Sequence, residues 1–216
     1  MKYKVWNDCN ESVPTVYIHS FVGNGEDVWK AAHEMHCPPF NLVSIYDFNA
    51  DADLSPWEAE NIWKGQPPFS GKAAEHLQEL IESVFPEVES HLPAPSSYLA
   101  MAGYSLAGLF TLWSVWNTDC FKRIACISSS FWYPDLITYI QTHQMMAKPA
   151  YLYFSLGDKE SKTKHPLMKQ VEERTQTVYE LIQAQQIPTI FEMNPGNHFK
   201  DSDKRTARGI QWIVSH

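Results

Sequence analysis

Short runs rich in β-branched and aromatic residues recur along the chain. Between them lie longer stretches whose apolar positions return every three or four residues. The runs predict strands over 1–6 (at a sheet edge), 15–20, 41–46, 97–102, 124–127, 150–156 and 189–193. The stretches between them predict helices over 26–35, 72–89, 106–116, 134–145, 166–186 and 204–214. Residues 26–35 show the pattern, with Val28, Ala31, Ala32 and Met35 on one stripe. Pro86 falls inside 72–89 and predicts a kink or a division in two, because proline removes a helical donor and crowds the preceding turn. Alternating strands and helices imply right-handed crossovers and an α/β fold, a mostly parallel central sheet with helices on both faces. No repeat, low-complexity segment or linker interrupts the chain, so a single domain over 1–216 is expected.

Residues 47–71 break the periodicity. Asp47, Asp51 and Asp53 sit beside Trp57, Trp63 and Phe69, with prolines between them. A long irregular segment in a compact domain is functional or disordered, and these aromatics favour order. It is expected to form a wall of a substrate pocket; a packed connector is the competing role. Its carboxylates read as solvated loop residues.

Charge and cysteine usage narrow the partners. The net charge of −8 and the lack of a basic run argue against nucleic acid and against an anionic membrane surface. No apolar run approaches a membrane span, and the first residues carry no apolar signal core, so a soluble, cytoplasmic protein is expected. The four cysteines (Cys9, Cys37, Cys120 and Cys126) are scattered and read as reduced thiols. His33, His36 and Cys37 lie close together without a second ligand cluster, so neither a metal nor an organic cofactor is expected.

The chemistry gathers around Gly103-Tyr104-Ser105-Leu106-Ala107-Gly108, between a predicted strand and a predicted helix. A serine on a sharp strand-to-helix turn needs small neighbours two places to either side, here Gly103 and Ala107. Such a turn lifts Oγ clear of the sheet and aims the Leu106 N–H at a forming oxyanion. The competing role is a serine N-cap on a buried helix. Three further strands end in chemically suggestive loops: His19-Ser20-Phe21, Gly157-Asp158-Lys159-Glu160 and Gly196-Asn197-His198. The resulting order of serine, acid and histidine is that of the α/β-hydrolase fold. His198 is the candidate base, able to take and return a proton near neutral pH. The acid is Glu160 or Asp158; Glu160 is preferred, since related hydrolases place it third after such a glycine. Phe21 is the second candidate oxyanion donor, with Ser20 standing where many hydrolases of this fold have glycine.

The elbow, the segment Ser128-Ser129-Ser130-Phe131-Trp132-Tyr133, Ser155-Leu156-Gly157-Asp158-Lys159-Glu160 and the ending Gly196-Asn197-His198-Phe199 resemble the α/β-hydrolase esterases of the esterase D type. Within that group they resemble most the branch of bacterial siderophore trilactone esterases. The resemblance implies a compact α/β-hydrolase fold with reduced N-terminal strands and no large lid. It implies Ser105 as nucleophile, His198 as base, the acid on the 157–160 turn and Trp132 in the pocket. Trp57 and Tyr104 are added as candidate substrate-binding residues. The expected activity is hydrolysis of a small-molecule carboxylic ester through an acyl-enzyme. A thioesterase or small peptidase using the same residues, or a non-catalytic ligand binder of this fold, are the alternatives.

Overall fold

The computed structural model describes residues 1–62 and 65–216; Trp63, expected in the pocket wall, lies outside the described residues. Seven strands form one sheet: β1 (Lys2–Trp6), β2 (Thr15–His19), β3 (Asn41–Tyr46), β6 (Leu99–Tyr104), β7 (Phe121–Ile127), β8 (Tyr151–Gly157) and β9 (Thr189–Asn194). Their order across the sheet is β1-β3-β2-β6-β7-β8-β9. Only the edge strand β1 runs antiparallel to its neighbour.

That order reverses between β2 and β6. From β2 the chain turns through α1 (Glu26–Glu34) towards β3, and from β6 through α5 (Leu106–Ser114) towards β7 on the other side. Right-handed crossovers in opposite directions put the two helices on opposite faces and open a crevice at the strands' carboxyl ends. Side chains follow the two-residue period. Val16 and Ile18 pack on one face with Val28, Ala31 and Ala32 of α1 and with Ala207, Ile210 and Ile213 of α8 (Ser202–Ser215). Tyr17, Met101, Ile124 and Phe154 enter the larger core on the other face. That core also receives α3 (Ala73–Glu79), α4 (Phe85–His91), α6 (Leu136–Thr142) and α7 (Val171–Gln183). Every residue of α5 is buried, which is why its sequence is apolar all round instead of striped.

The predicted helices shorten or divide for local reasons. Of the two outcomes expected at Pro86, the structure shows the division: the chain passes from α3 through a widened π turn, Leu80–Val84, into α4. Pro86 thereby becomes the second residue of a new helix, where its missing N–H needs no partner. The helix predicted over 166–186 is a 3₁₀ turn, Met168–Gln170, followed by α7. The helix predicted from Pro134 begins at Leu136, after Asp135 takes a left-handed conformation. Within 47–71, Asp53 accepts from the Asn49 N–H at 2.8 Å and closes a single helical turn, α2 (Ala50–Asp53). Strands β4 (Glu58–Ala59) and β5 (Phe69–Ser70) then pair as a small antiparallel ribbon. No large lid stands over the crevice among the described residues. None of their helices is long and apolar enough to cross a membrane.

Candidate active site

Ser105 sits in the turn between β6 and α5 with φ 57° and ψ −122°, a conformation costly for a residue with a side chain. Surrounding hydrogen bonds hold it there. Its N–H donates to the Ile127 carbonyl at 3.1 Å, and its carbonyl accepts from the N–H groups of Gly108, Leu109 and Ser130 at 3.0–3.2 Å. Any Cβ at Gly103 would collide with the Ala107 carbonyl, so this position must be glycine for β6 to pass so close to α5.

His198 lies on the loop after β9, beside Ser105. Its Nε2 is 3.0 Å from Ser105 Oγ, and its Nδ1 is 2.7 Å from Glu160 Oε2. A carboxylate only accepts, so Nδ1 carries the proton and Nε2 is left to accept from the serine hydroxyl. The His198 backbone is held as well, where the Tyr104 hydroxyl donates to its carbonyl at 2.6 Å. The two acids of the 157–160 turn do different work. Asp158 is exposed, and its Oδ1 accepts from the Gly196 N–H at 2.7 Å, tying the histidine loop to β8. Glu160 is buried and is the acid that meets His198.

Four partners surround Glu160. Oε1 accepts from Ser128 Oγ and from the Gly157 N–H, both at 2.7 Å, and from Arg205 Nη1 at 3.1 Å. Burial pushes this carboxyl up, but the His198 hydrogen bond and charge, Ser128 and the Gly157 N–H outweigh burial and hold it below its ordinary value. A side chain at Gly157 would press on Glu160 Oε1 and Arg205 Nη1, so the glycine makes room for this approach. Arg205 is itself buried, and its Nη2 donates to the Pro195 carbonyl at 3.1 Å.

A cleft of about 270 Å3 opens over Ser105, with Leu106, Ser130, Trp132, Phe69, Ile62 and Phe199 among its walls. Phe21, Ala50 and Asp51 also line it, so residues 47–71 do contribute a wall. Trp57 and Tyr104 are not on that surface. Trp57 is a packing residue: its Nε1 donates to the Pro134 carbonyl at 3.1 Å and its ring meets Tyr133 and Tyr139. Tyr104 points behind His198 and holds its carbonyl. The backbone N–H groups of Phe21 and Leu106 carry no hydrogen bond among the described residues. Ser20 needs no glycine conformation, since its φ is not positive. Its N–H donates to the Ile45 carbonyl at 2.8 Å and its Oγ meets Ser44 Oγ at 2.7 Å.

Sequence reasoning missed Ser128, Ser130 and Arg205. The two serines follow β7 at the same carboxyl edge, and that edge rule was the available signal. Arg205 had a weaker one, a cation on the buried stripe of α8 beside Gly209 and Ile210.

Fold and site together define a hydrolase of the α/β class. The chain belongs to the esterase family, whose profile, described as "Putative esterase", matches residues 7–198. Over 212 residues it is 21% identical to the uncharacterized protein YbbA of Bacillus subtilis, covering 93% of this chain and 85% of that one. Among solved structures it resembles an IroE-like serine hydrolase from Shewanella oneidensis, with a TM-score of 0.79 and 16% identity over 99% of this chain and 75% of the other. It also resembles the siderophore hydrolase EstA of Aspergillus nidulans, with a TM-score of 0.73 and 19% identity over 95% and 84% of the two chains.

Proposed function

We propose that residues 1–216 act as one α/β-hydrolase domain, cytoplasmic, that cleaves a carboxylic ester through an acyl-enzyme on Ser105. In this reading His198 Nε2 takes the Ser105 proton as Oγ attacks the ester carbonyl carbon. The tetrahedral oxyanion is held by the N–H groups of Leu106 and Phe21. As the C–O bond to the alcohol breaks, His198 returns the proton to the leaving oxygen. His198 then deprotonates a water that attacks the acyl carbon, releasing the acid and restoring Ser105. Glu160 fixes the tautomer of His198 and stabilises the imidazolium.

The observation that carries this reading is the continuous relay Ser105–His198–Glu160, at 3.0 and 2.7 Å, with the serine in a strained turn. A fluorophosphonate probe tests it by intact mass. One adduct per chain is expected on the native protein and none on Ser105→Ala. An unlabelled native protein, or a labelled Ser105→Ala, contradicts the assignment.

The substrate we propose is small and uncharged. The cleft is at or below the low end of ordinary ligand pockets, its walls are mostly apolar, and its ionisable lining residues beyond Glu160 and His198 reduce to Asp51 among the described residues. Likeness to the hydrolase EstA favours a second reading, a siderophore ester. A panel pairing aryl and short acyl esters with a trilactone separates the two.

A further inference from the structure

A second pair of ring nitrogens lies outside this relay. His19 ends β2, one residue before Ser20 and two before Phe21, and His76 comes from α3. Their Nε2 atoms are 2.9 Å apart, and both residues are only 4% exposed. Two nitrogens at that distance share one proton, one ring donating and the other accepting. Among the described residues His19 Nδ1 is buried with no hydrogen-bond partner, so there this bond is the polar anchoring of the His19 ring. The rings are also boxed by Phe48 and by Phe110. The Phe110 ring centroid is 5.1 Å from that of His19 and 5.5 Å from that of His76.

Phe110 belongs to α5, the helix whose first residue is Leu106. The pair therefore touches both elements next to the candidate oxyanion donors: the end of β2, which leads into the loop with Phe21, and α5, which begins at Leu106. On its other side the loop is already fixed to β3 through Ser20 and Ser44. The His19–His76 bond is the tie on the side of α3.

We propose that the His19–His76 bond is a positioning element for the oxyanion hole, setting the spacing of the Phe21 and Leu106 N–H groups. This rests on the reading of Ser105 as nucleophile. Neither histidine touches substrate; both act through the loop and helix they join. The interaction gained as the carbonyl oxygen becomes an oxyanion depends on donor placement, so loosening this tie lowers kcat and leaves ground-state affinity nearly alone.

The test compares His76→Leu, which fills the space without a hydrogen bond, with His76→Gln, which can restore one. On a p-nitrophenyl ester, His76→Leu is expected to lose about 10- to 100-fold in kcat with KM within about twofold. Its affinity for an aryl boronic acid, which forms a tetrahedral adduct on serine, should fall in parallel. His76→Gln should recover most of both. A folded His76→Leu with native kcat and boronate affinity overturns the inference, as does a loss that tracks thermal midpoint in both variants. Fluorophosphonate labelling of the native protein separates the two levels. A labelled native enzyme with an unaffected His76→Leu sinks the positioning role alone, whereas an unlabelled native enzyme sinks the Ser105 reading beneath it.

Discussion

Two parts of the crevice are built by opposite means. On the side of β8 and β9, polar groups interlock. Glu160 meets four donors, Asp158 ties down the Gly196 N–H, and Tyr104 holds the His198 carbonyl. On the side of residues 47–71, one turn of helix, a two-stranded ribbon and the stretch between its strands present Ala50, Ile62 and Phe69 to the cleft, apolar side chains with no hydrogen-bonding group. A proton relay needs atoms held to a few tenths of an ångström, and buried hydrogen bonds provide that. An apolar wall needs only shape. The first side should therefore fail sharply when single groups are changed, and the second should fail by degrees.

The sharpest contrast falls on the two acids of one turn. Glu160→Gln is expected to lower kcat/KM by about 1,000-fold or more, since the amide cannot stabilise an imidazolium. Asp158→Asn should cost less than about tenfold, because an amide oxygen still accepts from Gly196. Steady-state kinetics on one aryl ester decide it, and equal losses would erase the distinction between the acids.

Arg205 comes next. Its pair with Glu160 is buried, both side chains being 4% and 3% exposed. Removing one partner strands the other, so Arg205→Met should lose about 3 kcal/mol in a urea unfolding experiment. An unchanged midpoint would mean that the remaining donors to Glu160 suffice.

Acid titration gives a smaller, graded effect. Burial holds the His19 and His76 rings neutral, below the ordinary histidine value of 6.5, with the neighbouring imidazole adding to this for His19. The carboxylates of Asp53 and Glu79 oppose it at His76. Between the lowered and ordinary values the unfolded chain binds protons that the folded chain does not. These groups therefore stabilise fully above pH 6.5 and lose their contribution as pH falls below it. Glu160 behaves alike in a lower window, its contribution complete above the ordinary 4.5 and lost as pH falls through its depressed value. Unfolding midpoints at pH 8, 6 and 5 should decline for the native chain and decline less for His76→Gln. Parallel declines would contradict the neutral pair.

On the apolar side the effects should be mildest. Trp132→Ala should raise KM about tenfold with little change in kcat, as lost apolar contact does. Trp57→Phe should leave KM unchanged and cost about 1 kcal/mol in stability, for the hydrogen bond to Pro134. If Trp57→Phe moved KM instead, the wall would be drawn wrongly.

How much of this could be read in advance follows from the same contrast. The serine and histidine loops were legible because a strained turn and a Gly-Asn bend demand particular residues at fixed offsets. The parallel sheet was legible because buried strands make short apolar runs. Glu160 and Asp158 could not be separated on residue type alone; what separates them is that Glu160 folds back onto its own Gly157 N–H while Asp158 faces Gly196. Trp57 was misplaced because an aromatic in an irregular segment carries no period to tell which way it faces. Arg205 was missed because its partner is 45 residues away in sequence, with no local pattern joining them.

Rapid mixing of the native protein with a p-nitrophenyl ester, acid quenching and peptide mapping reads the central step directly. The peptide containing Ser105 should gain the mass of the acyl group, in proportion to the enzyme present. Turnover with no acylated peptide, or with the acyl group on another residue, would contradict the mechanism at its first covalent step.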